Sequence, residues 1–168
     1  MRILKTILLL LSISWVVPSY GQYFGKNKPR YTSFDFHNCQ TEHFDIYHYL
    51  ENEEYLKTIA EHTERWFAMH NEVFQDSFQF KNPMIFYNNH ADFQQTRAIS
   101  GGISTGTGGV TEAFKNRVIL PFAMSNQQTH HVLGHELVHA FQYHSVIYGD
   151  STSLRNMANY PLWIVEGL

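Results

Sequence analysis

Two imidazoles bracket a carboxylate in His135-Glu136-Leu137-Val138-His139, a spacing that matters only if the segment is helical. Positions i and i+4 lie one turn apart on the same face of an α-helix, so His135 and His139 can each aim a ring nitrogen at one ion about 2.0–2.1 Å away. Glu136 then stands beside the ion, not on it. From there its carboxylate can take a proton from a water activated by the ion, the part of the general base in zinc peptidases that carry this motif.

Catalytic zinc usually takes three protein ligands and keeps one position open, so a third donor is needed. His131 continues the i, i+4 stripe, but on a helix it lies about 12 Å from His139, too far to share one ion with it. It reads as a helix-surface histidine. The metzincin pattern requires Gly three and His six residues after the second histidine, and Gln142 and Ser145 stand there instead. His144 is one residue out of place and faces about 140° away from His139. Glu166, in Trp163-Ile164-Val165-Glu166-Gly167-Leu168, remains. An apolar helix that presents a single carboxylate is what a glutamate ligand from a neighbouring helix would look like. The alternative is a solvated side chain near a helix end.

The elements that must position these residues follow from periodicity. Residues 127 to about 144 carry Val132, Leu133, Leu137, Val138, Ala140 and Phe141 and suit a mostly buried helix. Glu53–Phe74 lacks Gly and Pro and spaces Leu56, Ile59, Ala60, Trp66, Phe67 and Val73 for a long amphipathic helix. Strands are expected at 43–49, from alternation, at 84–87 after Asn82-Pro83, and at 117–122, with Pro121 marking the end. A polar turn region is expected at 88–92. Residues 100–110 are glycine-rich, and read as a loop or a loosely packed edge strand. This order argues for an α+β domain with a mixed sheet against helices.

Residues 1–21 read as a secretory signal. Arg2 and Lys5 start it, Ile7 opens an apolar run broken by Ser12, Ser14 and Pro18, and Ser19-Tyr20-Gly21 offers small residues for cleavage. The interruptions argue against a stable membrane span, and the expected location is secreted or periplasmic. Residues 22–42 read as an exposed lead-in and 43–168 as one domain. Cys39 is the only cysteine, so no intrachain disulfide forms, and its expected role is that of a small buried apolar residue. A net charge of −3 with scattered basic residues gives no stripe for DNA or RNA, which excludes a nucleic-acid partner. Residues 159–168 read as a helix that the chain leaves unfinished, so a longer protein is expected.

Three stretches together, Asn116-Arg117-Val118-Ile119-Leu120-Pro121-Phe122, Val132-Leu133-Gly134-His135-Glu136-Leu137-Val138-His139-Ala140-Phe141-Gln142 and Trp163-Ile164-Val165-Glu166-Gly167-Leu168, resemble the gluzincin branch of the zincin metallopeptidases. The likeness is to secreted bacterial proteins with a peptidase MA-like domain, often followed by a β-propeller, and it extends over residues 43–168. It implies a zincin-like fold, Zn²⁺ held by His135, His139 and Glu166, Glu136 as catalytic base, a peptide or protein substrate, and a cleft rim near residues 102–111 that pairs with an extended substrate. It also implies a longer glutamate helix beyond Leu168 and a further domain downstream. A second reading stays open, a secreted interaction or scaffold domain that keeps the fold and cleaves nothing.

Overall fold

The computed structural model describes residues 32–99, 101–147, Pro161, Val165 and Glu166. The expected signal, the first part of the lead-in and most of the last helical segment lie outside them. Eight elements follow one another: β1 (His37–Gln40), β2 (Phe44–His48), α1 (Glu53–Phe74), β3 (Asn82–Tyr87), α2 (His90–Gln94), β4 (Val110–Glu112), β5 (Arg117–Pro121) and α3 (Asn126–Ile147). The strands form one five-stranded sheet in the order β1-β2-β3-β5-β4. Its centre, β2-β3-β5, is parallel, and both outer pairs are antiparallel. The α+β class with a mixed sheet is therefore as expected, as is α1 between its two expected ends.

Strand alternation divides the molecule into two packed faces. Phe44 and Ile46 of β2, Met84 and Phe86 of β3, and Val118 and Leu120 of β5 point into a core closed by Ile59 and Phe67 of α1 and by Leu133, Leu137, Ala140 and Phe141 of α3. Tyr87 and Ile119 point the other way, into a second cluster with Phe93, against which Phe34, Phe36 and Tyr49 pack. Both long helices lie on the first face, and α3 is buried along most of its middle.

Local chemistry sets the helix starts. Asn52 caps α1 by accepting the Tyr55 N–H at 3.0 Å, and Glu53 and Glu54 in the first turn suit the positive end of the helix dipole. Ser125 does the same for α3, its Oγ accepting from the Gln128 N–H at 3.2 Å.

Two elements differ from expectation. β1 falls inside the stretch read as exposed lead-in; its residues are indeed mostly exposed, yet they pair antiparallel with β2 from His37↔His48 to Gln40↔Asp45. The polar turn expected at 88–92 contains the start of the short helix α2, which Asn89 caps through the Asp92 N–H at 2.9 Å. Of the glycine-rich segment, 110 belongs to β4, which lies at the edge of the sheet. Cys39 is a free thiol, half-buried and packed against the first core.

Candidate metal centre

α3 is held at a fixed height against α1 by two side chains one turn apart. The Trp66 indole N–H donates to the His130 carbonyl at 3.1 Å, and His70 Nε2 bonds the Gly134 carbonyl at 2.9 Å. Gly134 is what lets the indole lie so close, since a Cβ there would come within 2.6 Å of the Trp66 ring. Burial lowers the His70 pKa although the Gly134 carbonyl pulls it back up, so the ring is neutral at pH 7 and donates its Nε2 hydrogen. The clamp therefore sets the position of the residues that follow directly, beginning with His135.

One turn of α3 then brings His135 Nε2 and His139 Nε2 to 3.1 Å from each other. The carboxylate of Glu166 reaches the same point, its Oε2 lying 3.6 Å from His135 Nε2 and 3.7 Å from His139 Nε2. Three donors of one tetrahedral zinc, each about 2.0–2.2 Å from it, stand about 3.3–3.5 Å apart, so the observed spacings bracket what one ion requires. The donor set, two imidazoles and a carboxylate, is also one that suits zinc. Among the described residues these three form the group of His, Cys, Asp and Glu side chains able to converge on a metal.

The protonation of the rings agrees with that use. Gln142 Oε1 lies 3.0 Å from His139 Nδ1 and accepts its hydrogen, which leaves the Nε2 lone pair facing His135. Burial, then His139, lowers the His135 pKa against the pull of Glu166, and the net shift favours the neutral form of the His135 ring. Gln142 does a second thing: its Nε2 donates to the Val165 carbonyl at 3.4 Å, tying α3 to the turn that carries Glu166. Val165 and Glu166 are themselves helical, and the Val165 N–H donates to the Pro161 carbonyl at 3.4 Å.

Glu136 stands outside the ligand triad. Its side chain is buried, and Thr111 Oγ1 of β4 lies 2.7 Å from its Oε2. Burial raises the Glu136 pKa, and Glu166 adds to this, while the Thr111 hydrogen bond and His139 oppose it. Tyr143, one turn beyond His139, stacks on that ring at 6.2 Å and 28°. Burial, then the Glu136 and Glu166 carboxylates, push its phenol up, so it stays protonated and able to donate.

These side chains line one open cavity of about 460 Å³, with Thr107, Gly108, Gly109, Val110, Thr111, His131 and Val132 on its other walls. The chain matches no family model, no curated protein and no solved structure. Its site is therefore read from its own atoms.

His131 is exposed on the wall of the cavity and is not part of the triad, as the spacing along the helix requires. His144 is turned to Asp76, with Nδ1 2.8 Å from Oδ2. The rim expected near 102–111 supplies Thr107 to Thr111, at the N-terminal end of β4 and in the loop before it. Sequence reasoning did not single out Gln142 or Tyr143 as part of the site, although both lie within a turn of His139. It also missed Gly109 and Thr111 as neighbours of Glu136, for which no local signal exists.

Proposed function

We propose that this chain is a zincin-like, zinc-dependent peptidase domain of the gluzincin type that acts outside the cytoplasm on a peptide or protein substrate. The observation that carries the reading is the division of labour between two carboxylates. Glu166 converges with His135 and His139, while Glu136, on the same helix as the histidines, is buried beside them and bonded to Thr111. A purely structural metal site has no use for that second carboxylate.

Zinc, when bound, would supply Lewis acidity, polarising a carbonyl and making a water more acidic. His135, His139 and Glu166 would hold it. Glu136 takes the proton from the attacking water and delivers it to the leaving amine, the work of a general base that then acts as acid. Tyr143 offers a hydrogen-bond donor in the same cavity. The substrate has room to extend, because a second cavity of about 930 Å³ adjoins the first and shares Thr107, Gly108, His131 and Val132 with it. β4, paired on one side only among the described residues, offers its other edge to the backbone of an extended chain.

The test is zinc stoichiometry by elemental analysis of the purified chain, beside cleavage of a mixed peptide library. One zinc per chain is expected, lost in His135→Ala and Glu166→Ala but kept in Glu136→Gln. Cleavage in Glu136→Gln should fall by about 10²–10⁴-fold. Zinc retained in both ligand variants would overturn the triad. Zinc bound by the unmutated chain without any cleavage would point instead to the inert scaffold.

A further inference from the structure

β4 presents alternate residues to opposite faces of the sheet. Val110 packs on the aromatic cluster, and Glu112 forms an ion pair with Arg117. Gly109, just before the strand, and Thr111 within it, at the intervening positions, both meet Glu136 of α3.

Thr111 Oγ1 lies 2.7 Å from Glu136 Oε2 and 2.9 Å from the carbonyl oxygen of the same residue. A hydroxyl has one hydrogen, so it donates to one of these acceptors at a time. An ionised carboxylate takes it in preference, because a charge-assisted bond is about twice as strong as a neutral one. The carbonyl has its own donor four residues on in the helix. Oε1 is left with no hydrogen-bond partner among the described residues. It passes Gly109, where a Cβ would stand 2.8 Å from Oε1, 2.7 Å from Cγ and 2.9 Å from Cδ of Glu136. The backbone at Gly109 is not in the left-handed region, so glycine is needed there for space, not for its conformation.

We propose that Gly109 and Thr111 form a seat for Glu136 that decides which of its oxygens exchanges protons. Thr111 holds Oε2, the missing side chain at 109 leaves room for the carboxylate, and Oε1 is the oxygen that faces the reaction. Thr111 is a positioning residue, since it acts through Glu136. The catalytic consequence rests on the peptidase reading; the seat itself is a property of the folded chain.

The experiment compares Thr111→Val, which keeps the shape and removes the hydroxyl, with Thr111→Ser, which keeps the hydroxyl, and with Gly109→Ala. With zinc stoichiometry unchanged, Thr111→Val should lower kcat by about 10–100-fold, as loss of an orienting partner does. KM should move by less than about threefold. Thr111→Ser should recover most of the loss, and Thr111→Val should cost nothing further in a Glu136→Gln background, because the two residues act as one unit.

Crystal structures of the metal-free variants give a readout independent of activity. Glu136 should hold one rotamer in the parent and in Thr111→Ser, spread over several in Thr111→Val, and be displaced in Gly109→Ala. A single unchanged rotamer in Thr111→Val with kcat intact overturns the seat, as does a loss that Thr111→Ser shares in full. If the parent cleaves nothing and Thr111→Val still releases Glu136, the peptidase reading falls and the seat stands.

Discussion

Gln142 reaches two parts of the candidate metal centre at once. Its amide oxygen fixes the His139 tautomer, and its amide nitrogen reaches the backbone beside Glu166, so one side chain orients one candidate ligand and braces the residues beside another. Gln142→Leu, similar in size and compatible with burial, should leave the helix intact and weaken zinc about 10–100-fold. Competition against a chromophoric chelator measures this, and an unchanged affinity would mean that helix packing alone orients His139. The sequence announces His135, Glu136 and His139 because their relation is local, one turn of one helix. Glu166, 27 residues beyond His139, was reached by eliminating other donors, from its apolar setting and from the resemblance. Gly109 and Thr111 fall in the rim that the resemblance implied near 102–111, but their contact with Glu136 arises from the packing of β4 on α3, which leaves no trace in spacing. Val110 and Glu112, their neighbours in sequence, face away from it.

At the level of elements, Gly134 looks like a defect. Glycine in a helix interior costs about 1 kcal/mol relative to alanine, yet it sits directly before the first candidate ligand, His135. The indole of Trp66 explains it, since the ring occupies the space a methyl would need. Gly134→Ala should therefore destabilise despite the better helix propensity, by about 1–3 kcal/mol as overpacking does, measured by urea unfolding. A gain in stability would mean that the Trp66 ring moves aside without loss. The same contrast between local and tertiary signals explains which elements were legible. α1 shows its apolar spacing and its freedom from Gly and Pro in the sequence itself, so its limits could be read. β1, His-Asn-Cys-Gln, has no apolar alternation and becomes a strand only because β2 offers it an edge, so it could not. α2 is too short to show a period and depends on the Asn89 cap and on Phe93, which is buried in the second cluster.

Across the whole molecule, histidines serve as packing residues as well as candidate ligands, which gives the fold a predictable weakness in acid. Burial lowers the pKa of His48, with His37 adding to it; of His70, against the pull of the Gly134 carbonyl; and of His130, with His62 and Arg65 adding to it. Each takes up a proton more readily in the unfolded chain than in the folded one. Stability from these groups is thus complete above the ordinary histidine value of 6.5 and is lost as the pH falls below it. Glu64 adds a second, lower window. Burial raises its pKa, but hydrogen bonds from Thr41 and His43 and the His43 charge outweigh this, so its net shift is downward and its contribution disappears below 4.5. Urea midpoints of the chelator-treated chain should fall between pH 7.5 and 5.5, above the ordinary carboxylate range, and fall further below pH 4.5; Glu136, whose pKa burial raises, works against the fall where it takes up its proton. His70→Gln, which keeps a donor for the Gly134 carbonyl but cannot ionise, should flatten the upper part of that fall. A midpoint constant down to pH 5 would show that these rings protonate in place, without opening the contact between α1 and α3 on which the metal centre is built.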